Sequence, residues 1–183
     1  MKRGTSGVYD AFTAKDGRKV VLRRIRWEDL DDCIEFINSL VEEHAEILRD
    51  TNVTREEEAD WLGSRLARIE KGQEIGVVAE VDGKMVANSE VEKRGSYMSH
   101  LGYLGIGIKK GYRGIGIGSR LMQTLIDESK KMGLEILVLD VFDINEGAKA
   151  LYKKMGFKEA GRIPRGIHKD GKYIDLVRMT REL

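Results

Sequence analysis

A run of alternating glycines is the part of this sequence best suited to chemistry. Gly114, Gly116 and Gly118 alternate within it. The run follows an apolar segment that predicts a strand, Leu101 to Ile108, and precedes a stretch that predicts a helix from Ser119. Because glycines have no Cβ, backbone N–H groups can turn toward an anion at the positive end of the helix. The segment therefore predicts a phosphate site.

The spacing of these glycines excludes two common nucleotide loops. The sequence has no G-x-x-x-x-G-K-[ST], and G-x-G-x-G does not fit G-x-G-x-x-G. The preceding strand carries Gly105 and Gly107 on one face, alternating with Ile106 and Ile108 on the other. That bare face fits close helix packing or a ligand that lies against the backbone.

Around these glycines the sequence resembles the GNAT superfamily of N-acetyltransferases. The family's acetyl-CoA signature, Arg/Gln-x-x-Gly-x-Gly/Ala, is matched by Arg113, Gly116 and Gly118. A second family element, Asn followed by Ala and by Leu-Tyr-x-x-x-Gly-Phe, is matched by Asn145, Ala148, Leu151, Tyr152, Gly156 and Phe157. The resemblance implies an acyltransferase that takes the acetyl group from acetyl-CoA and passes it to an amine.

The resemblance also implies where acetyl-CoA lies. The pantetheine arm would follow the motif strand and touch an asparagine, and the pyrophosphate would lie on the amides of the glycine turn. The implied binding set is Ile106, Gly107, Ile108, Arg113, Gly114, Ile115, Gly116, Ile117, Gly118, Ser119 and Asn145. Lysines at 149 and 153 fit either contact with the nucleotide phosphates or the solvated face of a helix.

Acetyl transfer needs an aligned amine, a group that takes its proton and a donor to the tetrahedral oxyanion. Backbone N–H groups near Ile106 or Ile108 are the candidate oxyanion donors. Tyr152 is predicted to protonate the departing CoA thiolate, because the family's matching Tyr serves as this acid. The alternative for Tyr152 is a core aromatic on the apolar face of its helix.

The general base is less defined by the sequence. Many relatives carry Glu directly before the Leu-Gly pair of the motif strand, where this chain has Tyr103. Side chains alternate between the two faces of the preceding strand, and by this alternation Glu90 is the first choice as base. Glu92, His100 or a water chain are the alternatives. The departure at Tyr103 also leaves a noncatalytic acyl-CoA-binding module as the alternative function.

The sequence does not select the acceptor amine. Glu43, His44, Glu46 and Asp143 are candidates for a polar mouth suited to a cationic amine, or for ordinary solvent-facing charges. The segment from His168 to Val177 resembles the end of ribosomal-protein and diamine acetyltransferases of the same superfamily. Protein N-termini, polyamines and small amino compounds are all compatible with the sequence as acceptors.

Composition limits the remaining functions. Lys and Arg number 32 against 31 Asp and Glu, which argues against a basic field for nucleic acid. Apolar runs are too short for a membrane span, and the basic start, Met1 to Gly7, is not followed by a signal core. We therefore expect a cytoplasmic protein, with neither nucleic acid nor membrane as partner and no metal site. Cys33 stands alone, so it cannot form an internal disulfide.

Alternating strand and helix signals predict one domain over residues 1–183. The expected class is α+β, with a mixed, mostly antiparallel sheet and about four flanking helices. Asp-Gly pairs at Asp16, Asp82 and Asp170 predict hairpins, and Ile136 to Phe142 is apolar on both faces, as in a central strand. The edges of such a sheet offer a route to a homodimer.

Overall fold

The structure, a computed structural model, describes residues 7–183. The basic residues 1–6, used above to argue against a signal sequence, lie outside that range. The elements are, in order, β1 (Val8–Thr13), β2 (Lys19–Arg24), α1 (Leu30–Glu42), α2 (Arg55–Glu70), β3 (Glu74–Val81), β4 (Lys84–Lys93), β5 (Leu101–Ile108), α3 (Ile117–Lys131), β6 (Ile136–Phe142), α4 (Glu146–Lys154), β7 (Lys158–Lys169) and β8 (Lys172–Glu182).

The described strands form one eight-stranded sheet, in the order β1-β2-β3-β4-β5-β6-β8-β7. Every neighbouring pair is antiparallel except β5 and β6, which are parallel. Hairpins join β1 to β2, β3 to β4 and β7 to β8, each at a predicted Asp-Gly turn whose glycine has positive φ. The predicted α+β class and mostly antiparallel sheet are confirmed.

The parallel ladder between β5 and β6 is short. It pairs Leu101 with Ile136, Gly102 with Leu137 and Tyr103 with Val138, and then it ends. Both strands continue past this point, β5 against β4 and β6 against β8. The two strands therefore separate beyond Tyr103, and one edge of β5 has no ladder partner from residue 104 to 108.

Helices cover the sheet on two faces. Apolar residues of α3 are fully buried against the strands on one face, namely Leu121, Met122, Leu125 and Ile126. Helices α1 and α2 pack on the other face through Cys33, Phe36, Leu40 and Leu62. Burial raises the pKa of the Cys33 thiol to about 12, so this cysteine is a core residue rather than a nucleophile.

Two predicted element ends differ in the structure. Helix α3 begins at Ile117 rather than Ser119, because Gly116 adopts φ 104° and turns the chain into the helix earlier. The sequence predicts a strand near Phe157 to Ile163, whereas β7 runs from Lys158 on to Lys169. It contains Pro164, which an edge strand tolerates, and its register with β8 shifts between Ile163 and Ile167.

Two features are absent from residues 7–183. No helix there is long and apolar enough to cross a membrane. The same residues contain no group of His, Cys, Asp and Glu side chains arranged to hold a metal ion.

Helix α2 begins with a reciprocal cap. Asn52 and Thr54 are both suitable N-cap residues by type, and the structure identifies Thr54 as the cap. The Thr54 hydroxyl accepts from the Glu57 N–H at 3.2 Å, and the Glu57 carboxylate accepts from the Thr54 N–H at 2.8 Å. Each bond satisfies a backbone donor at the start of the helix.

Thr54→Ala is expected to lower the free energy of unfolding by about 1 kcal/mol, because the Glu57 N–H loses its acceptor. For a chain of this size the melting temperature should fall by about 2–4 °C. Thermal and urea unfolding would measure the change, with Thr51→Ala as the matched control. Thr51 is exposed and precedes the cap, so equal destabilisation by both variants would contradict the capping account.

Candidate active site

The bare face of β5 is occupied by side chains from other elements. Glu90 on β4 is paired with Gly105, and a Cβ built at Gly105 would lie 2.2 Å from Glu90 Oε1. A Cβ built at Gly107 would lie 3.1 Å from both the Phe36 ring and Leu40 on α1. At Gly107 the helix-packing interpretation therefore holds. At Gly105 the glycine makes room for a carboxylate.

Of the two possibilities for the bare face, a ligand against the backbone is therefore excluded at Gly107. The accessible backbone of β5 is instead its edge toward β6, where the parallel ladder has ended. Ile106 and Ile108 carry their side chains into the core beneath α3 and α4. Their main-chain groups border the gap, as the resemblance implied for the pantetheine arm.

The glycine turn leaves open space above its backbone. Gly114 and Gly116 have φ of 77° and 104°, and a Cβ built at either would meet nothing within 4 Å. Gly116 is the N-cap of α3, and no side chain caps this helix. The first N–H groups of α3, from Ile117 to Ser119, are thus free of a capping side chain, as an anion site requires.

The two arginines near the turn are engaged elsewhere. Arg113 donates through Nε to the Ile108 carbonyl at 2.7 Å, and its guanidinium pairs with Glu43 at the end of α1. Arg120 forms an ion pair with Asp10, with 3.4 Å between Nη1 and Oδ2. Backbone amides, rather than free guanidinium groups, are therefore the anion donors that the turn offers.

Asn145 is fixed at the start of α4. Its Oδ1 accepts from the Ala148 N–H at 3.0 Å, which leaves the side-chain NH₂ free to donate. Lys149 Nζ lies 3.0 Å from Asp143 Oδ1 and 2.8 Å from Glu146 Oε1. These two ion pairs favour a structural role for Lys149 over contact with the nucleotide phosphates. Lys153 is exposed on the same helix.

Tyr152 lies on the buried side of α4. It is 7% exposed, and its ring centroid lies 6.1 Å from that of Phe157. Burial raises the pKa of the phenol to about 12, so the hydroxyl stays protonated throughout the neutral range. Both sequence interpretations thus fit, since the ring belongs to the core and the hydroxyl is held in the form that an acid needs.

Comparison with known families identifies the fold and its chemistry. The family model described as Acetyltransferase (GNAT) family matches residues 35–157, which is more than half of the chain. The chain belongs to this family. Membership confirms that the protein is an N-acetyltransferase with acetyl-CoA as its acetyl donor, as the two sequence motifs implied.

Individual relatives agree over most of the chain. An L-methionine sulfoximine/L-methionine sulfone acetyltransferase of Pseudomonas paraeruginosa is 25% identical over 160 residues, covering 85% of this chain and 90% of the relative. A ribosomal-protein-alanine N-acetyltransferase structure from Brucella melitensis has a TM-score of 0.79 at 27% identity, over 88% and 99% of the two chains. A Salmonella typhimurium acetyltransferase solved with acetyl-CoA also has a TM-score of 0.79, at 22% identity over 90% and 94%.

Among the candidate bases of this acetyltransferase, Glu90 lies nearest to the open edge of β5. Its partner Gly105 directly precedes Ile106, whereas Glu92 pairs with Tyr103, two residues farther back. His100 precedes the strand and is about 20 Å from Ile106 at 3.3 Å per residue. The structure therefore favours Glu90 over Glu92 and His100 on position.

The predicted acidic mouth is largely neutralised. Glu43 pairs with Arg113, and Asp143 lies 3.0 Å from Lys149 and 3.5 Å from Arg162. The hydrogen bond from Lys149 lowers the pKa of the Asp143 carboxyl. His44 Nδ1 lies 3.9 Å from Asp170 at the β7–β8 turn, and Glu46 is exposed. These pairs leave little uncompensated negative charge for a cationic acceptor.

One residue of this region was not identified from the sequence. Arg65 on α2 is buried, and it contacts β4 beside Glu90. Its spacing from Leu62 and Ile69 places an arginine on the apolar face of an amphipathic helix. The sequence did contain a signal for this residue. A charged side chain on the apolar, buried face of a helix needs a partner, so Arg65 indicates an interaction inside the protein.

Tyr152→Phe is expected to lower kcat by about 100-fold, because the departing thiolate loses its proton donor. With a phenol pKa of about 12 the acid does not titrate in an ordinary assay, so the loss should stay constant from about pH 6 to about pH 10. Initial rates of CoA release would measure it, with the exposed Tyr173→Phe as control. An unchanged kcat in Tyr152→Phe would contradict the role of Tyr152 as the acid and would leave it as a residue of the core.

Proposed function

We propose that this acetyltransferase moves the acetyl group of acetyl-CoA to the α-amine of an amino acid or a close analogue. The neutral amine attacks the thioester carbon directly, Glu90 takes the proton of the amine and Tyr152 protonates the departing thiolate. The observation that carries the proposal is the position of the Glu90 carboxylate on Gly105, next to the edge of β5 that no strand covers.

The donor half of the site follows from the backbone. The uncovered edge of β5 offers main-chain N–H and C=O groups to the amides of pantetheine, and an N–H there can stabilise the oxyanion. The uncapped start of α3 offers its amides to the pyrophosphate. Asn145 can donate its free NH₂ to the pantetheine.

Direct transfer is favoured over an acetyl-cysteine intermediate. Cys33 is the one cysteine of the sequence, and it is 1% exposed in the core beneath α1 and α2. Its thiol pKa of about 12 keeps it protonated and unreactive.

An unpaired cation supports an amino acid as acceptor. The Arg94 guanidinium carbon lies 4.0 Å from the centroid of the Tyr103 ring, and no carboxylate of residues 7–183 pairs with Arg94. Tyr103 shares a face with Gly105 and lies about 7 Å from it along the strand. A carboxylate bound at Arg94 would leave an α-amine within reach of Glu90.

The Pseudomonas relative and the charge of the mouth point the same way. The Pseudomonas relative is named for two amino acid derivatives, which carry both an amine and a carboxylate. A polyamine would instead need uncompensated acids, and Glu43 and Asp143 are already paired. We therefore favour amino acids over polyamines.

Thiol release from acetyl-CoA with an acceptor panel tests the function. The panel holds L-methionine sulfone and sulfoximine, ordinary amino acids, their methyl esters, a polyamine and a short peptide. We expect turnover with free amino acids above turnover with the matching esters. Acetyl-CoA binding without turnover of any amine would instead identify a noncatalytic acyl-CoA-binding module.

Arg94→Met is expected to raise KM for the amino acid by about tenfold to a hundredfold, because a charge-assisted contact to its carboxylate is lost. KM for acetyl-CoA and for the methyl ester should stay unchanged. Arg178→Met is the matched control, since Arg178 also lies near the Tyr103 ring, at 5.4 Å, but is bonded to Asp140. An ester that is acetylated as well as the acid would contradict the carboxylate contact.

A further inference from the structure

A buried arginine links the second helix to the proposed base. Arg65 has 1% of its side chain exposed, although it carries a charge. Its Nη1 donates to Asn88 Oδ1 at 2.8 Å and its Nη2 to the Ser89 carbonyl at 2.7 Å, both on β4. Two independent bonds therefore hold the guanidinium on the strand that carries Glu90.

The charge of Arg65 is balanced from the opposite side. Glu74 Oε1 lies 2.6 Å from Arg65 Nε in an ion pair that lacks hydrogen-bond geometry, and the other Glu74 oxygen accepts from Arg68 Nε at 2.7 Å. Glu74 is 4% exposed, and burial raises the pKa of its carboxyl against the effect of the two arginines. Glu74 thus compensates the charge of the guanidinium in the low-dielectric interior, while the bonds to Asn88 and Ser89 fix its position.

The guanidinium lies 5.0 Å from the centroid of the Trp61 ring, and a further contact reaches Glu90. Arg65 Nη2 lies 3.4 Å from Glu90 Oε2, while Glu90 Oε1 occupies the place of a Cβ at Gly105. One carboxylate oxygen thus faces the arginine and the other faces the motif strand. A Cβ at Gly76 would lie 2.8 Å from both Ile25 and Ile69 and 3.2 Å from Arg65 Nη2, so the absence of a side chain there gives room to all three.

Packing alone does not require a charge at this position. Neighbours of Arg65 on the same helix face, Leu62 and Ile69, are buried and apolar. Replacing a buried ion pair by well-packed apolar residues is commonly neutral or stabilising. An arginine at position 65 is therefore explained better by what it orients than by what it stabilises.

We propose that Arg65, held by Glu74, is a positioning residue that fixes the Glu90 carboxylate against Gly105. The inference rests on the proposed function, because the role of Glu90 as base belongs to that proposal. Arg65 itself touches neither substrate nor acetyl group. It restricts the rotamers of Glu90 to the one beside the edge of β5, and a base misplaced by about 1 Å costs about a hundredfold in rate.

A double-mutant cycle on kcat tests this coupling. Arg65→Lys keeps the charge near Glu74, but a single ammonium group cannot reproduce the planar fork that joins Asn88, Ser89 and Glu90. We expect Arg65→Lys to lower kcat by about tenfold to a hundredfold in the wild-type background, with KM for acetyl-CoA unchanged. In a Glu90→Gln background the same change should alter kcat by less than about twofold.

Arg68→Lys is the matched control, because Arg68 bonds to Glu74 but has no contact with Glu90. It should leave kcat unchanged in both backgrounds. Equal losses from Arg65→Lys with and without the Glu90 carboxylate would overturn the proposal, since a merely structural role predicts that result. Wild-type kcat in Arg65→Lys would overturn it as well.

Gly105→Ala supplies a second variant if Arg65→Lys does not fold. The added methyl would displace Glu90 Oε1, which lies 2.2 Å from the built Cβ. We expect a loss of kcat that disappears in a Glu90→Ala background, where no carboxylate is left to displace. The same loss in both backgrounds would indicate damage to β5 itself and count against the proposal.

A crystal structure of Arg65→Lys separates this inference from the proposed function. A Glu90 carboxylate turned away from Gly105 would support the positioning role by itself. Full activity of Glu90→Gln would overturn the assignment of the base without touching that result. An unmoved Glu90 in Arg65→Lys would overturn the positioning role.

Discussion

The early end of the β5–β6 ladder is the constraint on which the site depends. Each of the two strands keeps one complete antiparallel partner, β4 for β5 and β8 for β6, so the sheet can part between them without losing its outer strands. The parting leaves main-chain polar groups of β5 without strand partners, and such groups need a polar occupant or water. We propose that the amide-bearing pantetheine arm of acetyl-CoA meets that need.

The two glycines on the bare face of β5 illustrate what can and cannot be predicted from the sequence. Alternation was enough to predict that Gly105 and Gly107 share a face. It could not predict that α1 fills the space at Gly107 while Glu90 fills the space at Gly105, because both neighbours come from distant parts of the chain. Facing is a local property of a strand, whereas what lies against that face is set by tertiary packing.

The same division runs through the rest of the molecule. The hairpin turns and the Asn145 cap were predictable because each depends on a few adjacent residues. The pairing of Glu43 with Arg113, which removes an expected acid from the mouth, joins residues 70 positions apart. Arg65 was detectable in the sequence as a charged residue on an apolar helix face. Its contact with Glu90 on β4 was not detectable, because the two residues are distant in the chain.

Tyr103 occupies the position where many relatives carry a glutamate, and the geometry accounts for the change. Paired residues of antiparallel strands point to the same face, so a carboxylate can move from β5 to β4, a lateral distance of about 4.8 Å, and stay on the acceptor side. The carboxylate directly beside Tyr103 on β4 is Glu92, whereas Glu90 lies two residues farther along, beside Gly105 and nearer the open edge. The strand next to Tyr103 therefore still carries carboxylates on the same face, and our proposal assigns the catalytic role to Glu90 among them.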